Sequence, residues 1–587
     1  MRKLGNLSRL RPLKKQRWLI VLASAVALAA VLGLALVLRQ SWAGPVYWPA
    51  PDHPSAITIT VGLAREPDTL FPLTAHLPES WLILDAVLEP PLKIDTYTYR
   101  PGILAGIPTI ENSQALLIGD APSGGIGQDT RQITMTYWFR DDLRWADGTP
   151  VSAADSAFAF ELADDPEMDT PWPERVANVE TYAASGPYSV SVALKQGVLD
   201  PLYFTYVWTP LPRHILGDQK PADVAYGDYS RTPLGYGPYT VREWVKGDHI
   251  LLERNPYYYR HAEGLPRVQY LLFRFIPDPN ERLQMLLDKK IDVALGLGLD
   301  QVPALLDAAQ LGKLQAHLVP GETWEQLAFN LDDAALNDRT VRQAVALGTD
   351  RRTMIDRLEA GAVSPLKNWI VPQHPLYAGD DKLIDYAYDP ARARTLLDEA
   401  GWQVGPQGVR VKAGRPLSLT VTAASGDSLR TAYLQLFQQN MADIGISVTV
   451  QLLPRAQWYG AASGLTRRDF QIGALPWLSG PEPGGREIWS STQVPTTTNG
   501  WQGNNYSGWR NEQNDKIWLA LADTLTAPER KNLYADQQAL FAQDLPVLPL
   551  FQHIVIYAAN PEMKGLAPNP TDTLTWSVAE WDIPLNP

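Results

Sequence analysis

The chain has 587 residues, too many for one hydrophobic core, so two or more lobes are expected. Its 45% apolar and 20% charged content excludes wholesale disorder, and the absence of cysteine excludes disulfides, thiol nucleophiles, cysteine-bound metal and a lipid on an N-terminal cysteine. Seven of the 51 basic residues lie within residues 1–38, which hold no acid; the other 44 face 64 acids, a formal charge of −20 that repels nucleic acid.

Trp18 to Leu38 is an unbroken run of 21 apolar or small residues. As a helix it is about 31 Å long, roughly one bilayer core. The basic residues before it (residues 1–17) would stay in the cytoplasm and put the body outside the cell membrane. A signal-peptide core is only about 7–15 residues, so the run favours a single-pass anchor, although Ser41-Trp42-Ala43 also reads as a cleavage site. Residues 39–54 are a linker stiffened by Pro45, Pro49, Pro51 and Pro54. Ile57 to Val61 alternates with period two and predicts a strand. Ile133, Met135, Tyr137 and Phe139 alternate with Thr134, Thr136, Trp138 and Arg140 and predict another. Asp147-Gly148 is a tight turn, and Ser152 to Asp155 is a capping box that opens a helix containing Phe158 and Phe160. Farther on, Asp389 caps a helix with Pro390 in its first turn, Ala393, Leu396, Leu397 and Ala400 on one face, and Gly401 at its end. Strands and helices are interspersed from Ile57 onward, which gives a mixed α/β class.

Six collinear stretches share a pattern. They are Arg65 to Pro72, Tyr137 to Phe160 with its W-x-DGTP turn, Thr232 to Pro256 with Gly235-Tyr236-Gly237-Pro238-Tyr239, Leu336 to Arg351, Tyr388 to Trp402, and Leu545 to Leu550. Together they resemble family 5 of the extracellular solute-binding proteins, the oligopeptide/dipeptide-binding type of ABC transporter. The resemblance implies a two-lobe periplasmic-binding-protein-like α/β fold, two crossing strands between the lobes, and an inserted third subdomain. On that basis lobe one is placed at 55–90, 206–285 and 548–587, the insert at 91–205, and lobe two at 286–547.

The motifs are weighed for chemistry in turn. DGTP at 147–150 reads as a turn and not a catalytic Asp. The 235–239 segment lacks the third glycine of a dinucleotide loop and the Lys-Ser/Thr of a P-loop, so it reads as a hairpin loop; Tyr236 is a candidate for the cleft wall. There is no G-x-S-x-G elbow, and the eight His form no local metal pair, so no catalytic residue, cofactor or metal is expected. Trp477 to Gly484 follows a predicted strand at 470–475 and, by resemblance, occupies the ligand-lining loop. The resemblance also implies an acid three residues after the loop Trp, as a clamp for a peptide's ammonium. That position is Gly480 here, which leaves Glu482 as a substitute carboxylate or the site with no clamp. Asn499 to Trp509, a polar, aromatic, glycine-rich loop, resembles a family segment near the lobe junction, so Trp501 and Tyr506 join Trp477, Glu482 and Tyr236 as ligand-binding candidates.

The expected function is capture of a peptide or other small solute outside the cell, by a monomeric body that hands it to ABC permease subunits after two lobes close around it. An anchored sensor of the same fold remains an alternative, as does an oligosaccharide or metal-chelate ligand. An anchored hydrolase would need a nucleophile beside a base, which the sequence does not offer.

Overall fold

The structure, a computed structural model, describes residues 57–120 and 129–584. The expected anchor at 18–38 lies outside the described residues. Among the described residues no helix is long and apolar enough to cross a membrane.

The predicted strands and caps form where side-chain chemistry places them. Thr58–Leu63 buries Ile59, Val61 and Leu63 and pairs in parallel with Tyr270–Phe275. Gln132–Trp138 buries Ile133, Met135 and Tyr137 and turns Trp138 outward, 50% exposed. Ser152 donates its backbone N–H to Asp155 Oδ2 at 2.8 Å, which closes the capping box of helix Ala153–Ala163. The Asp389 carboxylate accepts from the Arg392 N–H and starts helix Pro390–Glu399. In the Asp147-Gly148 turn, Gly148 takes φ +88°, where a side chain is strained, and Thr149 N–H donates to Asp147 Oδ1.

One ten-stranded sheet runs through the molecule. From one edge its order is Ser447–Leu453, Ser418–Ala424, Ile472–Leu478, Gln315–Phe329, Val547–Ala559, Val293–Ala294, Thr58–Leu63, Tyr270–Phe275, His249–Arg254 and Tyr239–Val245. The two long strands in the middle are antiparallel. Gln315 to Pro320 pair with Ala559 to Ile554, and Trp324 to Ala328 pair with Gln552 to Val547. The register breaks twice, between Pro320 and Trp324 and again before Gln326. A Cβ on Gly321 would lie 2.9 Å from Val555 Cγ2, so the crossing point is built around a missing side chain.

The hydrophobic cores fall on either side of that break. Ile59, Val61, Leu271 and Phe273 share one core with Trp145 and with Tyr137 and Val192 of the four-stranded sheet Ala115–Ile118, Gln132–Trp138, Ser189–Leu194 and Val179–Ala184, Trp145 lying outside that sheet. Leu327, Val345, Leu397, Phe437 and Leu548 form another, with the aromatic core of Trp324, Trp369, Trp458, Trp489 and Trp518 beside it. A small fourth core joins Ile276, Leu286, Leu305 and Ile556. Val293–Ala294 pairs with Thr58–Leu63, and helix Val302–Gln310 packs in this fourth core.

Gly235 and Gly237 show why the 235–239 loop is rich in glycine. A Cβ on Gly235 would lie 2.0 Å from the Val87 carbonyl oxygen, and the Gly237 N–H donates to that same oxygen at 2.8 Å. The glycines let the hairpin seat on the end of helix Pro78–Val87. Gly235→Ala is therefore expected to cost about 1–3 kcal/mol by overpacking, read as a lower urea midpoint with an unchanged slope. An unchanged midpoint would show that the loop has room to move.

Candidate functional site

Two cavities open against the crossing strands. The one toward the second core has a volume of about 480 Å³ and is walled by Thr323, Glu325, Arg430, Arg455, Tyr459, Trp477, Tyr506 and His553, among others. Beneath it lies a network of charges drawn from four elements. Glu325, 0% exposed, accepts from Arg430 Nη2 at 2.6 Å, from the Tyr433 hydroxyl at 2.7 Å and from His553 Nε2 at 3.0 Å. His553 Nδ1 donates in turn to Glu359 at 2.9 Å, and the Ile554 N–H donates to the other Glu359 oxygen. Glu359 is also 0% exposed.

The protonation states follow from these contacts. Burial disfavours charge on His553, but the two carboxylates outweigh it and push the imidazole up to about 9. Burial likewise opposes charge on Glu325, but His553 and Arg430 hold its carboxyl below the ordinary range. Both imidazole nitrogens are therefore donors.

The second cavity, of about 730 Å³, faces the first core. Helix Pro78–Val87 contributes Trp81, Leu82 and Asp85. The crossing strands contribute Glu322 and Ile554 to Tyr557, and the C-terminal segment adds Asp572 and Thr573. Neighbouring positions of one strand pair thus border both cavities: Glu322 one side, Thr323 the other; Ile554 one side, His553 the other.

The five candidates from the sequence fall in different places. Trp477 and Tyr506 are brought together on the 480 Å³ cavity. Tyr236 lies in the first core, 1% exposed, with its hydroxyl donating to the Glu89 carbonyl at 3.0 Å and its ring edge-on to Trp145; it lines neither cavity. Trp501 has the Arg467 guanidinium 4.5 Å over its ring and lines neither cavity. Glu482 already has a cation: Arg530 Nη2 donates to it at 2.6 Å, and the Tyr534 hydroxyl donates to the same oxygen. A ligand ammonium at Glu482 would have to compete with that buried guanidinium, 8% exposed.

His374 fixes the loop that carries Glu482. Its Nε2 donates to the Pro481 carbonyl and its Nδ1 accepts from the Leu376 N–H, while burial pushes the ring down to about 4, so it is neutral. Sequence reasoning missed Glu322 and Glu325. Their signal was two acids three residues apart in a segment, Gly321 to Phe329, otherwise patterned as a buried strand.

The family profile described as bacterial extracellular solute-binding proteins, family 5, middle portion, matches residues 124–494. The oligopeptide-binding protein AppA of Bacillus subtilis is 23% identical over 477 residues, which cover 78% of this chain and 81% of that protein. Among solved structures, the unliganded open form of MppA, a periplasmic murein tripeptide binding protein, superposes with a TM-score of 0.71 at 18% identity, over 90% of this chain and 97% of that one. NikZ from Campylobacter jejuni in complex with Ni(L-His) superposes with a TM-score of 0.58 at 20% identity, over 89% and 99%.

The His553 network sets a pH dependence with a definite sign. A group whose folded value is raised, here from 6.5 to about 9, stabilises the fold fully below about pH 6.5 and loses that contribution as pH rises through 9. Wild type is expected to exceed His553→Gln by roughly 2–3 kcal/mol at pH 6, and the gap is expected to narrow steadily up to pH 9.5. Denaturant melts of both proteins across that range check it; a gap that is flat or widens with pH would mean that His553 is not held as the imidazolium.

Proposed function

We propose a receptor's role for this chain, which belongs to family 5 of the bacterial extracellular solute-binding proteins. It captures a peptide outside the cell and delivers it to an ABC permease. The observation that carries this reading is the position of the two cavities, on either side of one kinked strand pair that joins the cores. A solute that touches both walls binds the closed arrangement more tightly than the open one and so shifts the population toward it. The aromatic wall of Trp477, Tyr459 and Tyr506 suits peptide side chains of varied shape, and the Bacillus subtilis relative is an oligopeptide-binding protein by name. A chelated metal, the ligand named for NikZ, is the second reading. Capture and closure require no chemical step, so the protein works as a binder and not as an enzyme.

The apolar run Trp18–Leu38 tethers the body to the outer face of the cell membrane in this reading. Full-length protein is then expected in the membrane fraction after carbonate washing; a soluble form that begins at Gly44 would replace the anchor with a cleaved signal.

Native mass spectrometry of the purified protein is expected to release bound peptide. Peptide supplied at a hundredfold excess over its dissociation constant should stabilise the fold by about 2.7 kcal/mol, visible as a higher melting temperature. A preparation that carries no peptide, and whose melting temperature no peptide pool raises, would contradict the peptide reading. A shift with nickel and histidine instead would favour the second.

A further inference from the structure

The 730 Å³ cavity has an unusual charge balance. Three carboxylates from distant parts of the chain converge on it: Asp85 from helix Pro78–Val87, Glu322 from the crossing strand and Asp572 from the C-terminal segment. No Lys or Arg lines it; its other walls are mostly apolar, among them Trp81, Ile94, Leu297 and Ile556.

The neighbouring charges do not neutralise these acids. Lys93 is the nearby cation whose charge reaches Asp85 and Asp572. Its Nζ, however, lies 2.7 Å from the carboxylate of Glu89, which is 4% exposed, and donates to the Trp576 carbonyl at 3.1 Å. Lys93 is thus matched one for one by Glu89. Asp85 is met by the Thr573 hydroxyl, and Asp572 by the N–H groups of Ile94 and Thr573, all neutral donors. Among the described residues the Glu322 carboxylate has neither a hydrogen-bond donor nor a cation within ion-pair distance. The hydroxyl of Tyr97, 3% exposed and within reach of the Glu322 charge, has no partner either.

We propose that this cavity is the subsite for a positively charged group of the captured solute, an ammonium or guanidinium on an apolar stem, with Glu322 as its first contact and Asp85 and Asp572 as the supporting field. The inference rests on the receptor reading above and adds the chemical class of the ligand. A half-buried acid without a partner is costly, and in a binding cavity the missing partner is supplied by the ligand. The apolar walls around the acids suit an organic cation with a stem. The stem packs on Trp81 and the aliphatic walls, as a lysine or arginine side chain does elsewhere. A peptide's own amino terminus has the same chemistry.

The cavity holds its acids above the ordinary carboxylate range. Burial, with repulsion from Asp572 added, pushes Asp85 up to about 7, and burial alone pushes Glu322 up to about 7. His76 and Tyr557 are the other titratable groups on the wall. A cation binds the ionised carboxylates, so its arrival expels protons, and its affinity rises as pH climbs from about 6 to 8.

The test uses the full-length protein and three tripeptides: Ala-Lys-Ala, its N-acetylated form, and Ala-norleucine-Ala, which keeps the stem and removes the side-chain charge. Titration calorimetry is done in two buffers of different ionisation enthalpy. Ala-Lys-Ala is expected to bind at least tenfold more tightly than the norleucine peptide, with net proton release at pH 7. Glu322→Gln should abolish the preference and reduce the proton release, the remainder coming from Asp85. It should leave the melting temperature unchanged or higher, since the native carboxylate has no partner to lose. Loss on N-acetylation alone assigns the cation to the amino terminus; loss on norleucine substitution assigns it to the side chain. Equal binding of all three, with no proton release, would overturn the cationic subsite while leaving the receptor reading intact. Failure of all three, together with failure of random neutral and acidic tripeptide pools, would overturn both.

Discussion

At the point where the strands Gln315–Phe329 and Val547–Ala559 lose register, His553 is held between two carboxylates that water does not reach. Each of those acids would be expensive to bury alone. Glu325 is stabilised by Arg430, Tyr433 and His553; Glu359 by His553 and the Ile554 N–H. Removing Glu325, Glu359, Arg430 or His553 leaves an unmatched charge in the interior, so the outgoing strand, the returning strand, the helix that Glu359 ends and the helix that carries Arg430 are fixed as a unit. On the other side of the break the strands pair in register from Gln315 to Pro320. Between the two paired stretches Gln552 Nε2 donates to the Gly321 carbonyl at 2.7 Å. A glycine at a register break between two paired stretches is the kind of place at which a hinge between two cores can act.

The same break distributes side chains to opposite cavities. A strand alternates its faces, and here Glu322 and Thr323 go to different walls while Ile554 and His553 do likewise. The wall toward the second core is aromatic, and its cations Arg430 and His553 are paired with Glu325; the wall toward the first is mostly apolar and carries Asp85, Glu322 and Asp572 with no Lys or Arg.

Local structure was legible in the sequence wherever one residue's chemistry decides it. Ser152 with Asp155, and Asp389 before Pro390, mark helix starts because their acceptors lie within three residues of the N–H groups they cap. By resemblance Trp477 reads as a loop residue after a strand ending at 475; the strand runs on to Leu478, so Trp477 is a strand residue paired with Trp324 and borders the 480 Å³ cavity from within the sheet. What was not legible depends on partners far along the chain. Glu482 looked like a free carboxylate until Arg530, 48 residues later on helix Ala527–Asp544, reached it. The Glu325 partners are 105 and 228 residues away. Tyr236 sits in a hairpin loop whose sequence does not say which side faces the core, and the close seat of Gly235 on Val87 turns it inward.

Movement of the two cores about the crossing strands is the claim on which the rest stands. The chain has no cysteine, so a pair introduced as Lys246→Cys and Lys382→Cys, both exposed and on opposite sides of the break, is the only thiol pair available for spin or dye labels. The distance between them, measured by pulsed electron resonance or single-molecule energy transfer, is expected to fall when saturating peptide is added and to recover when it is removed. A distance distribution that stays the same while calorimetry shows the peptide bound would contradict closure about this strand pair.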